Sequence, residues 1–202
     1  MTSYDLRLHR AAAANPAAGV TPTARRSRPA TGYAVVVGAW VLVVLLAAVF
    51  PLEDSRVAGV ALFIHLVSMA VGFGAVMVID VYGLLWLAGR RTLVELVDLD
   101  TAAHTVIAVG VGGLLASGIA LQPDLTTPLA RFKMLLVLVL MLNGLAAQRF
   151  LIGLRKRLRP GTRGAGIPWA AFQRGLAAAL VSQASWWGAI AIGFITNAAR
   201  HG

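Results

Sequence analysis

Two residues able to carry charge near neutral pH, His65 and Asp80, interrupt an otherwise apolar run from Val57 to Ala88. At about 100° per residue they fall about 60° apart around a helix axis, in one stripe with Ser68, Gly72 and Gly83. An imidazole there can ligate a metal or pass a proton, and a carboxylate can take up a proton or hold a cation. Placing an aspartate in hydrocarbon costs about 2.5–3.5 kcal/mol on insertion scales, so the stripe is expected to face protein, water or a cofactor. At about 1.5 Å per residue the two lie about 22 Å apart, too far to form one site.

Depth sorts the remaining polar residues into two layers. His65 lies about 12 Å along its helix from Val57, too deep to snorkel, and Lys133 lies a turn or so into the fourth span, at the same end. These two form an external layer. Asp80, His104 and Gln148, with Arg149 beside them, form a cytoplasmic layer, and Asn143 and Gln183 lie between the two. Two intramembrane histidines raise the idea of a bis-histidine haem b. His65 and His104 differ by about 13 Å in depth, which disfavours a single iron between them and leaves His65 with Lys133, or one histidine alone. Asp80 with His104 and Gln148, or with Arg149, reads as a proton relay or as a structural hydrogen-bonded cluster. His104 also suits the headgroup level, and Lys133 can snorkel along its stem. Met69, Met134 and Met141 are either soft copper ligands or packing filler. There is no cysteine, which removes disulfides and thiolate chemistry, and no hydrolytic motif is recognisable. Whether the chain is an enzyme stays open.

These residues need elements to hold them, and composition says which. The chain of 202 residues is 58% hydrophobic and 13% charged, with mean hydropathy +0.78. That is too much apolar surface for a soluble domain, and it reads as an all-α polytopic membrane bundle with five transmembrane helices. The spans run approximately Tyr33–Phe50, Val57–Ala88, His104–Leu121, Leu129–Leu151 and Pro168–Ile195. The second, about 48 Å if fully helical, must tilt, kink near Gly72-Phe73-Gly74, or protrude into the cytoplasm.

The net charge of +10 follows topology. Arg7, Arg10, Arg25, Arg26 and Arg28 precede the first span. Arg90 and Arg91 follow the second, and Arg149, Arg155, Lys156, Arg157, Arg159 and Arg163 fall between the fourth and fifth. The intervening Pro51–Arg56 and Gln122–Pro128 loops carry almost no basic residues, and Arg131 and Lys133, just inside the fourth span, are the exceptions. This positive-inside alternation implies a chain with a cytoplasmic N-terminus and an external C-terminus, in contact with the lipid bilayer and not with nucleic acid. The alanine- and arginine-rich composition suggests a bacterial inner-membrane protein.

Residues 1–32 read as a disordered basic cytoplasmic tail, 33–198 as the five-helix transmembrane domain and 199–202 as a short external C-terminus. Thr92-Leu93-Val94-Glu95 fits a capping box that opens a short interfacial helix before the third span. Gly175, Ala178, Ser182, Trp186, Ala189 and Gly193 share a mostly small face of the fifth span. That face suits close helix packing, or a homo-oligomer or membrane partner. Ser68 and Gly72 in the second span, and Gly113 and Gly118 in the third, are further sites of close approach.

Phe63-Ile64-His65-Leu66, then Gly72-Phe73-Gly74, Gly113 to Gly118, and Arg131-Phe132-Lys133 before a long apolar helix form a pattern. It resembles small membrane proteins of the HemJ-type protoporphyrinogen oxidase and copper-resistance D group, over roughly Phe63 to Arg149. The resemblance implies a haem b with His65 as axial ligand and Lys133 as its later-helix counterpart, and Gly72 would give the ring clearance. Where that family tends to carry a further histidine, this chain has Leu142-Asn143-Gly144, and it adds a tail and a span at its start. Asp80-Val81-Tyr82-Gly83 and Gly89-Arg90-Arg91-Thr92 also resemble a broader actinobacterial membrane family. Three functions follow as expectations. They are a haem-b redox protein with His65 as metal ligand, a small proton-coupled or copper-related transporter using Asp80 and His104, and a non-catalytic scaffold subunit.

Overall fold

A computed structural model describes residues 29–49, 55–157 and 167–201 of the chain. Residues 1–28 of the expected tail, the 50–54 connection, the 158–166 segment and residue 202 lie outside the described residues. Five α-helices follow one another: α1 (Pro29–Val49), α2 (Ser55–Leu87), α3 (Leu93–Ala120), α4 (Pro128–Arg155) and α5 (Trp169–His201). Each is long and apolar enough to cross a membrane. The protein is an all-α, polytopic integral membrane protein. The first helix opens at Pro29, so residues 29–32 belong to α1. Proline suits a first helical position, where no N–H is needed.

Local sequence explains where the helices stop and start. α2 ends in a Schellman turn: Gly89 takes φ +70, Arg90 N donates to Leu85 O at 2.9 Å and Gly89 N to Trp86 O at 2.9 Å. The capping box at Thr92 is present: Thr92 N donates to Glu95 Oε2 at 2.8 Å, and Glu95 N to Thr92 Oγ1 at 3.3 Å. The separate interfacial helix expected after it does not exist. No glycine or proline separates Asp100 from His104, and α3 runs unbroken for 28 residues with Leu93 and Val97 buried at its start. Thr127 caps α4, Pro128 occupies its first turn, and Asp124 Oδ1 accepts from Thr126 N at 3.0 Å in the turn before it.

α2 with α3, α4 with α5 and α1 with α4 pack antiparallel. α2 and α3 approach most closely, because small residues face each other. A methyl group on Gly110 would lie 2.5 Å from Gly72 Cα and 2.9 Å from Ser68 O. Together with His65 opposite Ser117, these pairs set the register. Extended along both helices, it brings Ala120, the last residue of α3, opposite about Leu62. The excess length of α2 (33 residues in an unbroken helix) therefore projects past α3 at the end poor in basic residues, not into the basic end. α5 meets α2 through large rings instead: Phe73 stands 5.5 Å from Trp186 and 5.2 Å from Trp187 between ring centres. Asn143 Nδ2 donates to Ala178 O at 2.8 Å between α4 and α5. Trp40 Nε1 donates to Met134 O at 3.1 Å between α1 and α4, and Arg155 meets Asp98 at 2.8 Å between α4 and α3.

Candidate functional site

The first polar cluster lies near the base-poor end. Ser117 Oγ donates to Gly113 O at 2.6 Å, one turn back in its own helix. With its proton spent there, the hydroxyl receives a hydrogen bond from His65 Nδ1 at 2.9 Å. This assigns the proton of a neutral imidazole to Nδ1, with the Leu114 backbone carbonyl a further acceptor near the ring, and leaves the lone pair on Nε2. Ser117 is buried, and its position three residues before the end of α3 sets His65 at the level of that helix's last turn. The histidine is therefore shallower than its distance along α2 implied, because α2 projects past its neighbour.

Lys133, from the second turn of α4, lies within electrostatic reach of His65. Its Nζ sits 3.6 Å from where a side chain on Gly193 of α5 would begin, so the ammonium is turned between helices. Among the described residues no carboxylate pairs with it. Four helices thus converge: α2 with His65, α3 with Ser117, α4 with Lys133 and α5 with Gly193. His65 and Lys133, expected in one layer, lie near enough to act on each other electrostatically.

Gly72 does something else. A methyl group on it would lie 3.3 Å from Gly110 Cα and 3.3 Å from Trp186 Cη2. The space expected to clear a flat macrocycle holds the backbone of α3 and an indole. His65, with one nitrogen tied to a hydroxyl and the other free, has the donor pattern of a metal ligand. The residues present therefore fit an imidazole donor but not a haem cleared by Gly72. Among the described residues no group of three or more His, Asp or Glu is placed to hold a metal ion.

The second cluster is Asp80 with Gln183. Gln183 Nε2 donates to Asp80 Oδ2 and also approaches Met77 Sδ at 3.6 Å. Among the described residues no hydrogen bond or ion pair joins Asp80 to His104 or Gln148. Rotation around α3 gives the reason. His104 lies about 120° from Gly110 and about 180° from Gly113, the two residues that face α2. It turns away from α2 and interacts with Asp100, one turn back. Arg149 leaves the cluster too, with its guanidinium 4.5 Å from the centre of the Tyr33 ring of α1. Sequence reasoning missed Gln183 as the partner of Asp80 and Ser117 as the partner of His65. The available signals were an amide midway along α5 and a hydroxyl one turn beyond Gly113.

The small-residue face of α5 is used within the chain. The carbonyl of Ala178 accepts from Asn143, Trp186 is buried against Gly72 and Phe73, and Gly193 faces Lys133. No protein-family model, curated protein or solved structure matches this chain.

Proposed function

We propose that this protein is a small proton-coupled membrane transporter in which Asp80 is the proton-carrying group. The observation that carries the reading is the Asp80–Gln183 pair. Asp80 stands seven residues, about 10 Å, inside the end of α2, and its partner there is a neutral amide. A carboxylate at such depth, with no cation beside it among the described residues, needs a proton or a passing cation to balance its charge. The amide can donate to an ionised carboxylate through Nε2 and accept from a protonated one through Oε1, so it can serve both states. The positive-inside pattern supports a cytoplasmic side for the basic end of the bundle, nearer to Asp80.

Reconstitution into proteoliposomes with a pH-sensitive dye inside, under imposed gradients of candidate cargo (small inorganic anions and copper in turn), tests the proposal. With its cargo supplied, wild-type protein should change the lumenal pH in a sense that reverses with the gradient, Asp80→Glu should retain flux, and Asp80→Asn should abolish it. Equal flux through wild type and Asp80→Asn overturns the reading. His65 is assigned no redox step, because the clearance a macrocycle needs at Gly72 is filled.

A further inference from the structure

We propose that the His65–Lys133 cluster binds a small monovalent oxyanion that keeps a hydroxyl proton, the chemistry shared by bicarbonate and dihydrogen phosphate. The inference names the cargo class of the transporter read from Asp80. It rests on that reading for the transport step only, and binding itself is argued from this cluster alone.

Lys133 supplies the charge. Its ammonium has three donors, is turned inward against Gly193, and has no carboxylate partner among the described residues. An ammonium held between helices without an anion is incomplete, and a bound anion would complete it. Gly193 contributes by having no side chain, so the amine and whatever it holds meet bare backbone on that side.

His65 supplies the discrimination. The bond to Ser117 Oγ occupies Nδ1–H, and Ser117 is itself committed to Gly113 O, so the tautomer is held by a two-bond chain into the backbone of α3. The free nitrogen, Nε2, can then only accept. An anion with no hydroxyl, such as nitrate or chloride, presents only lone pairs to it and is repelled. An oxyanion that keeps an O–H offers a proton to Nε2 and a charged oxygen to Lys133. The two groups together therefore select for an acceptor and a donor on one small ion.

The position fits uptake from the base-poor side. His65 lies at the level of the last turn of α3 and Lys133 in the second turn of α4, near the connection between those helices. Arg131 stands two residues before Lys133 at that mouth, exposed, with its Nε donating to Leu125 O at 2.8 Å. Arg131 and Lys133 depart from the charge pattern of the chain, as Arg56 and Arg200 do, and an anion site gives these two neighbours a purpose: one attracts, the other binds.

The test is binding to the full chain in detergent at constant ionic strength, read by tryptophan-monitored unfolding and by calorimetry, with sodium bicarbonate, dihydrogen phosphate, nitrate and chloride as probes. Saturable binding of bicarbonate or dihydrogen phosphate, about tenfold or more tighter than nitrate, is expected, the difference of one charge-assisted hydrogen bond. Whichever of the two binds tighter is the ion of the site. Lys133→Met should weaken binding by about tenfold or more while Lys133→Arg keeps it, and His65→Phe should erase the preference over nitrate. Wild-type protein that shows no saturable binding, or that binds no better than Lys133→Met, overturns the proposal. If Lys133→Met does not fold, Lys133→Arg and His65→Phe decide: an unchanged preference in His65→Phe overturns it. Asp80→Asn should bind as wild type does. Loss of flux with intact binding supports both readings, whereas intact binding with unaltered flux removes the role of Asp80 and leaves the anion site standing.

Discussion

At the scale of single residues, the chemistry of His65 is decided by a hydroxyl on another helix. Ser117→Ala would leave Nδ1–H without its acceptor in a buried site, at a loss of about 1–3 kcal/mol. Ser117→Thr, which restores the hydroxyl, should recover most of it. Denaturant unfolding of the two variants in detergent checks the difference, and equal stability would mean that the Ser117 bond contributes nothing. That His65 and Asp80 face protein was legible from their cost in lipid. Their partners were not. A serine or glutamine in a membrane helix carries no mark of which neighbour it will meet, and Ser117 satisfies part of its hydrogen bonding within its own turn.

At the scale of elements, the legible features were those that one segment decides for itself. The capping box at Thr92 and the stop at Gly89 depend on residues a turn apart, and both are present. The separation of a short interfacial helix from the third span failed for the same local reason, since nothing in the sequence breaks the helix there. The close α2–α3 approach was half legible. Ser68, Gly72 and Gly113 are in it, but Gly110 makes the tightest approach to the backbone of α2 and Gly118 faces open space. Gly110→Val should therefore cost about 1–3 kcal/mol or more through overpacking against Gly72 and Ser68. Gly112→Ala, with nothing within 4 Å, should be neutral or gain up to about 1 kcal/mol in helix propensity. Thermal unfolding of the two variants side by side separates a packing role for Gly110 from a general sensitivity of α3.

At the scale of the whole molecule, the absence of cysteine makes sidedness directly measurable. Arg157→Cys, exposed just after α4, should react with a membrane-impermeant maleimide only from the cytoplasmic side, and Thr126→Cys, between α3 and α4, only from the outside. The opposite pattern would invert the topology and place the anion site towards the cytoplasm. Sequence alone determined that there are five membrane helices and their alternating charge, because hydrocarbon leaves a spanning chain little choice but a long apolar helix closed on its own hydrogen bonds. It also determined that His65 and Asp80 turn away from lipid. Only the tertiary structure decided which groups meet them: His65 with Ser117 and Lys133, Asp80 with Gln183 and not His104. The reason is rotational. A helix surrounded by lipid on one side and equally apolar neighbours on the other has no strong local signal for its angle about its own axis. The close contacts of Gly72 with Gly110 and of Phe73 with Trp186 set that angle, and with it the two sites.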